Sequence, residues 1–137
     1  MRGRGRRLRH ALGAAMTALG VAGCGGTSAA VFLQRGDAIC AAAAAHVAHL
    51  AEPAGRRVAA TARAGWVDAY VAEVRDELRR LSALGYPAGQ RLALRVAYQR
   101  LQAALLRAQR DPGGFHPSML RELAAPYAVA GLRRCVP

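Results

Sequence analysis

Residues 56–84 read RRVAATARAGWVDAYVAEVRDELRRLSAL, and this stretch decides the fold. On a helical wheel, Trp66, Val67, Tyr70, Val71, Val74, Leu78, Leu81 and Leu84 gather on one broad apolar face. Asp68, Arg75, Asp76, Arg79 and Arg80 take the other side. Asp76 and Arg80 stand four apart with the acid first, the favourable order for a surface pair. Gly65 marks either a kink or close packing against a neighbour. The run Gly85-Tyr86-Pro87-Ala88-Gly89 then supplies the breakers that end this helix.

The segments on either side are also helical in pattern. Upstream, Asp37 is a plausible N-cap after Gly36, opening a helix that runs through ICAAAAAHVAHLA and stops before Pro53. Ile39, Ala43, Val47 and Leu50 form its stripe, and the Ala run at 41–45 allows close approach to a neighbouring helix. Downstream, QRLALRVAYQRLQAALLRAQR places Leu94, Ala97, Tyr98, Leu101, Ala104, Leu105 and Ala108 on one face. Leu92, Val96 and Leu106 point elsewhere, toward a second neighbour. Asp111-Pro112-Gly113-Gly114 is a strong turn signal. A last helix is predicted from Pro117, with Met119, Leu120 and Leu123 as its apolar positions. Pro126 should bend or break it, leaving a further turn, YAVAGL, before Arg133-Arg134-Cys135. The expected fold is all-α: a small up-and-down bundle of about four helices around a long central hairpin, with a signal segment in front.

Composition agrees. The chain has 137 residues, enough for one domain, and its 5% aromatic content leaves the core to Leu, Val and Ala. All 20 basic residues are Arg. With Ala, Gly and Pro also abundant, this bias reads first as a GC-rich coding sequence. Arg2, Arg4, Arg6, Arg7 and Arg9 crowd the first nine residues, so the net charge of +12 falls to about +7 for the rest. Outside a cell such a surface meets anionic headgroups or acidic wall polymers rather than nucleic acid. A solvated face without a specific partner is the plainer reading.

The leader carries the most specific motif. MRGRGRRLR is followed by the uncharged run ALGAAMTALGVAG, which ends in Val21-Ala22-Gly23-Cys24. This resembles the lipobox of bacterial lipoprotein precursors. The resemblance implies cleavage before Cys24, a diacylglycerol thioether on its sulfur, and residence on the extracytoplasmic face of the cell membrane. The expected divisions are then a signal peptide at 1–23, a flexible tether at 24–35 and a helical domain at 36–137. Two other readings fit the leader. The uncharged stretch 11–34 is long enough for a retained membrane span, and cleavage without lipid is the third. Arg6-Arg7 hints at twin-arginine export, though the following residues fit that signal poorly.

If Cys24 carries lipid, Cys40 and Cys135 are left as a pair. Two remaining cysteines in a small exported domain suggest a disulfide. It would close nearly the whole domain into one loop, worth roughly 4–5 kcal/mol in the chain-entropy model. The lipobox together with GDAIC at 36–40 and GLRRC at 131–135 resembles small, uncharacterised actinobacterial helical lipoproteins. That resemblance implies the anchor and the bridge, and no activity.

Candidate catalytic chemistry is sparse. His46 and His49 sit three apart on one helix and could share an ion, with Glu52 or His116 as a further ligand. Zinc sites need three or four ligands, and neither HExxH nor CxxC occurs. Two surface histidines are the plainer reading, and no metal or cofactor is assigned. Glu73 and Glu77 are neighbours one turn apart. Glu77 lies at the edge of the apolar face, where it is expected to reach solvent or pair with Arg80. Ser28, Ser82 and Ser118 stand in no GxSxG setting. No catalytic residue is assigned and no enzyme is expected. The expected function is a lipid-anchored binding or interaction module facing a protein, a wall polymer or a small ligand. The alternative is a metal-binding bundle built on His46 and His49.

Overall fold

A computed structural model describes residues 27–55 and 58–136. Five α-helices follow one another: α1 (Ala29–Ala48), α2 (Ala60–Ala83), α3 (Arg91–Arg110), α4 (Ser118–Leu123) and α5 (Ala125–Val129). Single 3-10 turns at Ala88–Gln90 and Pro112–Gly114 precede α3 and α4. Among the described residues there is no strand, so the all-α reading holds.

The hairpin of α2 and α3 is the spine. The face read from residues 56–84 is buried from Trp66 to Leu81, with Leu84 half-buried at its end. From α3, Leu94, Ala97, Leu101, Leu105 and Ala108 meet it. The two helices are antiparallel, since Gln109 near the end of α3 donates to Asp68 near the start of α2 at 3.1 Å. Helix α1 is also antiparallel to α2. The Thr27 hydroxyl donates to the Leu84 carbonyl at one end. At the other, the Trp66 indole N–H donates to the Leu50 carbonyl at 3.3 Å. Helices α1 and α3 do not touch. Helix α5 packs on α3 and α4, and the tail beyond it lies against α1 and α2, where Leu132 packs over Gly36 and Leu81.

The cap of helix α1 lies nine residues earlier than Asp37, at Ser28, and the expected tether is helical from Ala29. Ser28 is the cap, its side chain accepting from the Val31 amide at 3.3 Å. Phe32 explains the extension: it is fully buried, edge-on to Tyr86 at 5.9 Å between centroids. Burying such a ring holds the extra turns in place. Asp37 is an exposed mid-helix residue. At Gly65 neither close packing nor an interruption of α2 is found: the residue is exposed, with open space where a Cβ would stand. Leu92 and Leu106 are left 76% and 48% exposed, without the second neighbour expected of them.

Pro126 divides the last helix as predicted, giving five helices rather than four. It sits in the first turn of α5, where its missing N–H is harmless. Gly131 then ends α5 at φ +100°. The Leu132 amide reaches back to the Tyr127 carbonyl at 2.9 Å and the Gly131 amide to Ala128 at 3.0 Å. This is the Schellman pattern, which turns the chain back along α1 and α2.

Candidate functional site

The tail ends against the middle of α1 and α2. Cys40, on the buried stripe of α1, and Cys135 stand at disulfide distance, with Cα atoms 4.6 Å apart. That separation lies within the usual range for a bridge. The next residue, Val136, has φ +58°. A β-branched side chain is strained there, so something must hold it. Its amide donates to both carboxylate oxygens of Glu77, at 3.1 and 3.3 Å.

Glu77 is where the sequence expectation fails. It neither reaches solvent nor pairs with Arg80, and is only 1% exposed. The tail, 59 positions further along the chain at Val136, closes over the edge of the apolar face where a wheel leaves it open. Burial penalises the charged form, pushing the carboxyl up from 4.5 to about 7, while the Val136 amide pulls it back in part. Burial, and then the Glu77 charge, also push the nearby Tyr70 hydroxyl up to about 12.

Ligating atoms of Cys40, Glu77 and Cys135 lie within 4.8 Å of one another, the one group of three among the described residues. The histidines do not join such a group. His46 Nδ1 is 3.1 Å from Glu73 Oε2 in an exposed pair. His49 is exposed, and His116 Nδ1 meets the Ser118 hydroxyl at 2.8 Å. Glu52 pairs with Arg63 at 2.6 Å.

Arg63 escaped the sequence reading. Its guanidinium donates to the Phe115 carbonyl at 2.6 Å and the Pro112 carbonyl at 3.3 Å, and lies 4.8 Å from the centre of the Trp66 ring. It clasps the start of α2 to the turn after α3. Nothing marks it among 20 arginines, because its carbonyl acceptors lie about fifty residues away.

The clasped turn forms one wall of a cleft of about 360 Å³ between α3 and α4. Phe115, Leu120 and Leu123 line it with Ala104 and Ala108, and its charged residues are Arg107, Arg110 and Asp111, the last accepting from the Gly114 amide at 3.2 Å. Its size and apolar lining are those of a small-ligand pocket. Phe115 is also part of an aromatic cluster with Trp66 and Tyr70, at 6.1 and 5.4 Å. The aromatic packing and the Arg63 clasp together fix this wall.

Cys24 and the whole leader lie outside the described residues. Among the described residues, no helix is long and apolar enough to cross a membrane. Comparison with known proteins finds no family model that matches the chain, no similar curated protein and no similar solved structure.

Proposed function

We propose that this chain is an exported binding module, held at the outer face of the cytoplasmic membrane by lipid on Cys24. Its cleft between α3 and α4 takes a small apolar ligand with an anionic end. The cleft carries this reading: an apolar lining of Phe115, Leu120 and Leu123 beside two arginines, Arg107 and Arg110, which outnumber the one acid, Asp111, whose side chain is engaged by the Gly114 amide. An alkyl or aromatic body gains by leaving water for such a lining, and an anionic group gains a charge-assisted hydrogen bond from a guanidinium. The sequence supports the address through Val21-Ala22-Gly23-Cys24 preceded by an apolar run and a basic head. A Cys40–Cys135 bridge completes the reading, closing the domain for life in an oxidising compartment.

A photoactivatable medium-chain fatty acid, added to vesicles carrying the full chain, tests the ligand class. Crosslinks should concentrate on the peptides that hold Phe115, Leu120 and Leu123. They should be competed by unlabelled fatty acid and weakened about tenfold in an Arg107→Ala, Arg110→Ala variant, the loss of roughly one charge-assisted hydrogen bond. Labelling spread over the exposed surface, or indifferent to that variant, would rule the cleft out as the site.

A further inference from the structure

Glu77 raises a question that the fold alone does not answer. A buried carboxylate beside apolar side chains costs stability, and a well-packed apolar residue would serve the core better. This one is turned toward both sulfurs of the Cys40–Cys135 pair, with its oxygens held by the Val136 amide. Three buried ligand atoms on three separate segments, α1, α2 and the tail, converge within 4.8 Å.

We propose that, when Cys40 and Cys135 are reduced, they and Glu77 form a binding site for a borderline-soft divalent cation, with zinc as the type. Bridge and ion exclude one another because they use the same sulfurs. A dithiol or phosphine reductant supplies two electrons to the sulfur–sulfur bond and is itself oxidised. The sulfurs take up two protons from water and become thiols. The cation then displaces both thiol protons and accepts the two thiolates and one carboxylate oxygen, with solvent in a fourth position. Two thiolates and a carboxylate suit zinc in kind and number. Two sulfurs on a tetrahedral zinc stand about 3.8 Å apart at ordinary bond lengths, so the cysteine side chains must part. Cys135 lies on a non-helical segment, where such rotation meets no helical neighbour of its own. The ion would pin the tail to α1 and α2 while the bridge is open.

The test uses the full chain in detergent, reduced with a phosphine and freed of reductant without oxygen. Cobalt(II) serves as the spectroscopic probe and zinc as the competitor. The expected result is an equimolar complex with a thiolate-to-cobalt charge-transfer band, displaced by zinc, and a zinc-dependent rise in Tm. The oxidised chain should show none of these. Cys40→Ser and Cys135→Ser should each abolish the band, which excludes Cys24 as its source. Glu77→Gln should weaken binding by about tenfold or more. Equal binding by the oxidised chain, or by Glu77→Gln, would overturn the proposal. So would a reduced chain that loses helical circular dichroism and does not regain it with zinc.

Discussion

Glu77 and Arg63 are two ionisable side chains, one buried and one half-buried, with opposite consequences. Glu77 binds its proton more tightly in the folded chain, where it titrates near 7, than in the unfolded chain, near 4.5. Between those values the native state holds a proton that the unfolded state has released. Stability is therefore full below pH 4.5 and falls as pH rises toward 7, by about 3 kcal/mol. Tm should be lower at pH 8 than at pH 5, and Glu77→Gln should remove most of that slope; an unchanged slope would assign it to other groups. Arg63 is stabilising because its charge is met by two carbonyls, Glu52 and the Trp66 face. Arg63→Lys keeps the charge and loses the planar fork, at a cost of about 1–2 kcal/mol in urea unfolding; an unaltered midpoint would deny the clasp. Neither role was legible in the sequence. A helical wheel assigns Glu77 an angle, and says nothing of a tail returning from 59 residues away. The pairing of Cys40 with Cys135 was legible, because only two cysteines remain once Cys24 is set aside for the proposed lipid.

At the scale of the element, glycine separates what the sequence shows from what it hides. Gly65 and Gly131 are both single glycines at helical segments. The first is exposed within α2 with space for a methyl group. Gly65→Ala should raise stability by about 0.5–1 kcal/mol through backbone entropy. Gly131 has φ +100°, and an added Cβ would stand 2.6 Å from Leu33 Cδ2. Gly131→Ala should lower stability by about 1 kcal/mol or more, since the backbone conformation is strained for any side chain and Leu33 must also move aside. Chemical denaturation of the pair reads both signs, and a shared sign would contradict the backbone argument. The long helices were legible because apolar periodicity sums over many turns, as Val67 through Leu81 show. The start of α1 was not, because Asp37 after Gly36 imitates a cap while the true anchor is the burial of Phe32 against Tyr86. Tyr86, Phe115 and Tyr127 sit among breakers in the sequence, yet all three are buried. The Tyr86 and Tyr127 hydroxyls meet at 3.1 Å, which satisfies both in the core.

At the scale of the molecule, α1 and α3 each pack on α2, and the tail closes over α1 and α2. A link between positions 40 and 135 would therefore hold the first and last parts of the domain together. Cys135→Ser should melt well below the parent under non-reducing conditions, the loss approaching the roughly 4–5 kcal/mol of loop entropy; equal Tm values would remove the bridge from the reading. The cleft could not be read from sequence, because its walls come from the end of α3, the turn at Pro112–Gly114 and α4. The proposed lipid address at Cys24 lies outside the described residues. The measurement that bears on it is the intact mass of the protein extracted from membranes, taken before and after reduction. The expected species begins at Cys24, carries added acyl mass, and gains the mass of a hydrogen pair on reduction. A full-length chain without lipid would contradict the anchor, and a mass unmoved by reduction would contradict the bridge.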